Sequence, residues 1–361
     1  MRFNKLHVMK VLITGSFPVM SLTFNPLALR SEEFVDEYSK IVPFSEGGKV
    51  VVETYGGSVT FSGMDRTDVK IEATRTVQAK NADEAQKIFS KFAIGVKKSP
   101  GKLKIETSCP SEGGFFSKLF GVYKYKDIQV DYRIMVPRRA DIYIDGTSTD
   151  VLGNGVEGTV SLDLTSGDVD IEEIDGRVYV DGTSGDIKVA NLGGDLIVDN
   201  TSGDVTATRV YGGVEIDKTS GIVDLEEIGE DFYIDATSCD VEISHLAGSA
   251  EIDMTSGDVR ILDLGGGIVH EGTSGDVEIK FEGIINKSCR LSTTSGDVSL
   301  IITQLSGLDL NLKTDSGGIS AKLPQMEIIE ISNNNLKATV AKGGVEVNVE
   351  TTSGDINVSQ N

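Results

Sequence analysis

The chain has 361 residues and a formal net charge of −22 at pH 7, from 56 acidic and 34 basic side chains. It contains 41 glycines, 7 prolines and no tryptophan. This acidic balance argues against nucleic acid as a partner, because carboxylates repel phosphates.

Residues 1–30 are predicted to be a signal or targeting segment. They contain no acidic residue, carry Arg2, Lys5 and Lys10, and include the apolar run V-L-I-T-G-S-F-P-V-M. These features are typical of a secretory signal peptide cleaved near Ala28, although mitochondrial targeting segments also lack acids. We therefore expect a secreted or cell-surface protein, with a mitochondrial or cytoplasmic location as the alternative. We expect no transmembrane span in the mature chain, because no other stretch is long and apolar enough.

Residues 31–47 are predicted to be a linker, and residues 48–146 to form strands with one helix. The helix is expected at 81–93, because Asn81 can cap it and Glu84 completes a capping box. Its apolar residues share one face, which we expect to cap the open end of the repeats that follow. They are Ala85, Ile88, Phe89 and Phe92.

Residues 147–361 are predicted to form a β-helix, because a Thr-Ser turn recurs every eighteen residues, usually as T-S-G-D-V or T-S-G-D-I. Between the turns, apolar and polar residues alternate, which is typical of short strands. The pattern therefore predicts an all-β solenoid with two strands in each eighteen-residue coil, since no single repeat can bury its own apolar face. The turns start at Thr147, Thr165, Thr183, Thr201, Thr219, Thr237, Thr255 and Thr273.

The period becomes less regular toward the carboxyl terminus. Thr294 and Asp315 each follow a step of 21 residues, and the segment 324–351 has no repeat. The motif T-S-G-D-I then returns at Thr352. We expect irregular residues in this region to cover the exposed sheet edge at the end of the solenoid.

The stretch 128–151, I-Q-V-D-Y-R-I-M-V-P-R-R-A-D-I-Y-I-D-G-T-S-T-D-V, is followed by tandem T-S-G-D-V motifs. Together they resemble a family of bacterial adhesin-like proteins with T/V-S-G-D-V repeats, catalogued as a domain of unknown function. The resemblance covers the chain from Lys49 to the end. It implies a right-handed parallel β-helix and an exported or surface protein, and it offers no catalytic residues.

Two columns of acidic residues flank the Thr-Ser-Gly turn and are the candidate binding residues. Carboxylates stacked at the spacing of neighbouring strands, ~4.8 Å, should repel one another, bind cations or accept turn amides. Calcium is therefore a possible cofactor, and the alternative is that each Asp accepts hydrogen bonds from its own turn. The calcium candidates are Asp168, Asp186 and Asp204 in the column after the turn glycine, and Asp181, Asp199 and Asp217 in the column before the turn. The second column also contains Asp163, Asp235, Asp253 and Glu271.

Nothing in the spacing of the histidines and cysteines indicates catalysis. His7 falls in the predicted signal segment, His245 in a predicted turn, and His270 at an inward position where a packed core histidine is expected. Cys239 and Cys289 are more than two coils apart, which does not support a disulfide. We therefore predict that the protein is not an enzyme.

These observations favour an adhesin-like or structural surface module that presents an acidic face to a protein or carbohydrate ligand. An intracellular or organellar scaffold of the same fold is the alternative. A carbohydrate-active β-helix enzyme is a more remote one, because acids occur in every coil and no single pair stands out.

Overall fold

The computed structural model describes residues 31–108 and 128–361. The amino-terminal part contains β1 (Glu32–Pro43), β2 (Lys49–Thr54), β3 (Gly57–Met64), β4 (Asp68–Ala79), α1 (Ala82–Lys91), β5 (Ile94–Ser99), β6 (Lys102–Thr107) and β7 (Ile128–Pro137). The central part contains β8 (Asp141–Val156), β9 (Val160–Ser166), β10 (Val169–Ile174), β11 (Val178–Ser184), β12 (Ile187–Leu192), β13 (Leu196–Ser202), β14 (Val205–Val210), β15 (Val214–Ile228), β16 (Phe232–Leu246), β17 (Ala250–Ser256), β18 (Val259–Leu264), β19 (Ile268–Ser274), β20 (Val277–Ile284), β21 (Cys289–Ser295) and β22 (Val298–Gln304). The carboxyl-terminal part contains β23 (Leu308–Ser316), β24 (Ile319–Lys322), β25 (Met326–Ile331), β26 (Asn335–Val340), β27 (Val345–Ser353) and β28 (Ile356–Gln360).

The strands form two ladders, and each coil contributes one strand to each. Sheet A comprises, in spatial order, β5, β6, β2, the first half of β8, β9, β11, β13, the first halves of β15 and β16, β17, β19, β21, β27, β23, β26 and β25. Sheet B comprises β1, β4, β7, β3, the second half of β8, β10, β12, β14, the second halves of β15 and β16, β18, β20, β22, β28 and β24. The predicted all-β repeat architecture is confirmed.

The core lies between the two sheets and is built from the inward residues of every strand. Strand pairing is parallel in the central coils, so that Val180 lies opposite Val198, and Val198 lies in the same file as Ile216. These three side chains are at most 1% exposed. Burial of a valine or isoleucine contributes about 1.5–3 kcal/mol, and stacking repeats this contribution in each coil.

Each coil turns at two places that require unusual backbone angles. At the Thr-Ser-Gly turn, Gly185 has φ +130°, and a Cβ there would lie 2.0 Å from the carbonyl oxygen of Gly167 in the preceding coil. A side chain is therefore excluded by both the angle and the close approach. Cys239 replaces this glycine in its own coil, opposite Gly221 of the preceding coil. The strand β16 is continuous from Phe232 to Leu246 and includes Cys239. At the opposite turn, the left-handed position is filled by polar residues with φ between 55° and 64°: Glu173, Asn191, Arg209, Glu227, His245 and Asp263.

Both ends of the solenoid contain a coil that is out of sequence order. At the amino-terminal end, the coil β2–β3 lies between β6–β7 and β8. At the other end, β27–β28 lies between β21–β22 and β23–β24. The T-S-G-D-I motif at Thr352 therefore belongs to an inner coil, and the chain passes beyond that coil before it returns.

The predicted helix is confirmed as α1. Asn81 Oδ1 accepts a hydrogen bond from the backbone N–H of Glu84 at 2.9 Å, and Glu84 Oε2 accepts one from the N–H of Lys80 at 2.9 Å. The buried residues Ala85 and Phe89 pack against β1 and β4 in a small cluster of their own. That the helix caps the solenoid stays a prediction.

The linker predicted for residues 31–47 is corrected by the structure. Residues 32–43 form β1, which pairs with β4 along its whole length. Arg75 of β4 links this pair to α1, since its guanidinium forms an ion pair with Asp36 and donates to the carbonyl oxygens of Phe89 and Phe92 at 2.7 and 2.9 Å.

Candidate functional site: an acidic face on sheet A

One outward column of sheet A is acidic in ten successive coils. Parallel register places its members directly opposite one another, and we call this column the outer acidic file. Its members, in spatial order, are Glu106, Glu53, Asp145, Asp163, Asp181, Asp199, Asp217, Asp235, Asp253 and Glu271. Three of the sequence-predicted candidates, Asp181, Asp199 and Asp217, are therefore brought together in its middle. The three members from the amino-terminal coils were not predicted.

Basic side chains compensate the charge of the outer acidic file most closely at its amino-terminal end, while at the other end Arg290 Nη2 lies 4.0 Å from Glu271 Oε1. At the amino-terminal end, Lys104 Nζ lies 2.8 Å from Glu53 Oε2 and 2.9 Å from Glu106 Oε2, and Lys97 Nζ lies 2.6 Å from Glu106 Oε1. Hydrogen bonds from these two lysines hold the pKa of Glu106 below its usual value. Further along, burial together with Asp217 and Asp181 raises the pKa of Asp199. The middle of the file is thus the part where added positive charge gains most.

Tyrosines lie beside the outer acidic file in the neighbouring outward column of sheet A. They are Tyr143, Tyr179 and Tyr233, each two residues before an acidic residue of the file. Partial burial and the adjacent carboxylates raise the pKa of all three. Tyr143 already carries a cation on its ring, because Lys49 Nζ lies 4.7 Å from the ring centroid. The face therefore offers both carboxylates and aromatic rings to a cationic partner.

A groove of about 610 Å³ crosses sheet A at the beginnings of its central strands. Tyr233 and Val269 lie in it with 38% and 40% of their surface exposed. Its ends carry basic residues: Arg177 Nη2 lies 2.6 Å from Asp195 Oδ2, and Lys287 Nζ donates to Ser249 Oγ at 2.9 Å. The groove passes from one coil to the next along the solenoid axis. An extended ligand therefore suits it better than a compact one.

The predicted column after the turn glycine has a different role, because its carboxylates link one coil to the next. Asp168 Oδ1 accepts a hydrogen bond from the backbone N–H of Asp186, and Asp186 Oδ1 accepts one from that of Asp204, both at 3.0 Å. Asp204 Oδ1 does the same for Ile222 at 2.9 Å. We call this column the turn ladder. The expectation that each Asp binds its own turn is therefore corrected, since the acceptor and donor belong to consecutive coils.

The two columns are lines of carboxylates and do not converge on a point. Within residues 31–108 and 128–361, no group of three histidine, cysteine, aspartate or glutamate side chains is arranged to hold a metal ion. One oxygen of each Asp in the turn ladder described above is also used by a backbone amide. Calcium binding by either column stays a prediction.

The sequence matches the model of the family Toastrack DUF4097 twice, over residues 47–225 and 193–359. The two matches together span most of the chain. The chain belongs to the Toastrack DUF4097 family. Comparison with curated protein sequences gives no match.

Solved structures similar to this Toastrack chain share little sequence with it. A candidate cell adhesion protein from Clostridium sporogenes is 11% identical, with 91% of this chain and 100% of that chain covered and a TM-score of 0.20. A candidate adhesin from Parabacteroides distasonis is 15% identical, with coverage of 75% and 97% and a TM-score of 0.31. A candidate lipid binding protein from the same organism is 10% identical, with coverage of 90% and 96% and a TM-score of 0.31. With TM-scores this low, the superpositions carry no argument about function.

None of the described histidines and cysteines of the Toastrack chain belongs to the two acidic columns. His270 points into the core with 3% of its surface exposed, as predicted, and burial lowers its pKa to about 4. His245 is the second last residue of β16, where its φ is 64°, and its Nε2 lies 3.4 Å from Asp263 Oδ2. Cys239 and Cys289 are buried free thiols, while His7 and Cys109 lie outside the described residues. No helix in the described ranges is both long enough and apolar enough to cross a bilayer.

Proposed function

We propose that this Toastrack chain is a non-enzymatic, adhesin-like surface module that binds a partner outside the cell through the acidic face of sheet A. The observation that carries the proposal is the outer acidic file, which repeats one carboxylate in ten successive coils. Such a column provides many equivalent contacts at a fixed spacing, whereas catalysis needs one distinct arrangement of groups.

The chemistry of this face favours a cationic protein segment or an amino-sugar-bearing carbohydrate as the partner. Each carboxylate on an exposed surface contributes little alone, and charge pairs of this kind are worth about 0–1 kcal/mol. A partner that spans several coils gains the sum of these contacts through avidity. Tyr179 and Tyr233 add aromatic faces for cations or sugar rings. The right-handed coil implied by the family resemblance and the end cap predicted from the apolar face of the helix belong to the same proposal.

Surface plasmon resonance with poly-lysine and neutral dextran as the probes tests whether sheet A is the binding face. We expect salt-sensitive binding of poly-lysine that weakens strongly in the triple variant Asp181→Asn, Asp199→Asn, Asp217→Asn. The matched control removes the same charge from outward positions of sheet B, namely Asp170→Asn, Asp224→Asn and Glu242→Gln. Equal loss of binding in both variants would show that net charge alone is responsible and would overturn the assignment to sheet A.

The proposed location needs a separate test. Antibodies against the repeats should label intact source cells, and sequencing of the mature amino terminus should give a start near residue 30. Labelling only after permeabilisation, with Met1 or Met9 retained, would exclude the surface module and favour an intracellular scaffold.

A further inference from the structure

The carboxyl-terminal end of the solenoid is stepped. Sheet A continues past β23 by two antiparallel strands, β26 and β25. Sheet B has no counterpart among the described residues and ends at β24, which pairs with β28 only. Sheet A therefore overhangs sheet B by two strands, and we call this pair of strands the overhang.

The inner face of the overhang continues the apolar core without a sheet opposite it. Register places Met326, Ile328 and Ile331 of β25 opposite Val340, Ala338 and Leu336 of β26, whose side chains are at most 6% exposed. Ile328 and Ile331 face the same side but are 52% and 65% exposed. An apolar strand with an open edge and an uncovered face is a site for association.

We propose that a second copy of this chain covers the overhang, in a symmetric dimer joined at the carboxyl-terminal ends. A twofold axis parallel to the strands inverts the solenoid axis and exchanges the two sheets. The overhang of each copy then extends sheet B of the other and covers the exposed Ile328 and Ile331 of that copy. The edge of β25 meets β24 of the second copy, and the two run antiparallel because the sheets of a coil run in opposite directions.

The charges at this end favour that arrangement. β24 ends at the exposed Lys322, whereas β25 carries the exposed Glu327 and Glu330. Glu330 already lies 3.3 Å from Lys337, but Glu327 has no ion pair among the described residues. In the dimer, Lys322 of each copy approaches the acidic edge of the other. Both open edges are used at once, so assembly stops at two copies and does not form a filament.

Light scattering after size-exclusion chromatography of the full chain tests this proposal. We expect a mass twice that of the 38.6 kDa chain. The double variant Ile328→Lys, Ile331→Lys should raise the dimer dissociation constant by about a hundredfold or more, because it places four charges in the apolar contact. The matched control Ile222→Lys, Ile284→Lys changes residues that are 49% and 51% exposed elsewhere, and it should leave the dimer intact.

A charge exchange distinguishes the proposed pairing from other dimers. Lys322→Glu should weaken the dimer about tenfold, and Glu327→Lys added to it should restore most of the loss. A native-like monomer at about 0.1 mM would overturn the proposal, since the overhang is then covered by the chain itself or not at all. A dimer that survives the double lysine variant, or an open filament, would overturn it as well.

Discussion

Replacement of His270 by leucine should abolish part of the acid sensitivity of the fold. His270 occupies an inward position of sheet A, with Ile252 opposite it on one side and Leu291 on the other. Burial lowers its pKa to about 4, and Asp253 and a backbone hydrogen bond with Ile252 oppose this shift only in part. Gly272 makes room for the ring, since a Cβ there would lie 2.7 Å from Nε2. The imidazole is therefore held neutral at neutral pH.

The sign and size of the effect follow from proton linkage. The folded pKa lies below the value of 6.5 for the unfolded chain, so below pH 6.5 the unfolded state binds a proton that the folded state does not. Protonation of His270 therefore does not lower the free energy of unfolding above pH 6.5. It lowers this free energy progressively as the pH decreases from 6.5 toward 4. At about 1.4 kcal/mol for each pH unit, the loss approaches about 3 kcal/mol.

The assay compares urea unfolding of the wild type and His270→Leu by circular dichroism at pH 7 and pH 4.5. Leucine has a similar volume and removes Nδ1, which is buried with no hydrogen-bond partner in residues 31–108 and 128–361, so the variant should be at least as stable at pH 7. Its advantage should grow by about 2–3 kcal/mol at pH 4.5. The many carboxylates titrate in both proteins and cancel in the comparison. An equal difference in stability at the two pH values would refute this account of His270.

Four further predictions concern the coils. Val198→Asp should unfold neighbouring coils at a cost of about 3 kcal/mol or more, measured by urea unfolding, because Val198 is 1% exposed. Asp186→Ala should cost about 1 kcal/mol in the same assay, whereas Asp186→Asn keeps an acceptor for the amide of Asp204 and should be nearly neutral. Lys218 is 2% exposed, its ammonium donates to the carbonyl oxygen of Gly203, and burial lowers the pKa of this ammonium. Because the cost of burying the charge outweighs one hydrogen bond, Lys218→Met should stabilise by about 1–3 kcal/mol at pH 7, and that gain should shrink as the pH approaches 10.5, the usual lysine value. Isothermal titration with calcium should show binding that Asp199→Asn weakens if the outer acidic file is a cation site, and no heat if it is not.

The coil could be predicted from the sequence because one rule governs it. Alternation of apolar residues such as Val178 and Val180 fixes which side chains enter the core, and the recurring Thr-Ser turn fixes the repeat. Spatial order at the ends follows a different rule. The motif at Thr352 has the same residues as an inner coil, and local pattern cannot show that β27 inserts between β21 and β23.

The acidic face was predictable over the central coils and not beyond them. Asp163 to Glu271 occupy one position of the repeat, so their stacking follows from the period. Glu53 and Glu106 join the same column only because β2 and β6 enter sheet A out of sequence order. The strand β1 was missed for a related reason, because β2 and β3 separate it in the sequence from its partner β4.

The inserted coils also determine where the solenoid is exposed. The last residues of the chain, in β28, pair with β22 on one side and β24 on the other, so the carboxyl terminus does not form the end of the solenoid. The spatial end consists of β24 and β25, which an internal stretch of the chain supplies. Unpairing of β28 therefore breaks its pairings with both β22 and β24 and leaves β24 without a partner strand among the described residues. In the proposed dimer, β25 of the second copy pairs with β24 and holds that strand in place, which gives the dimer a role in stability as well as assembly.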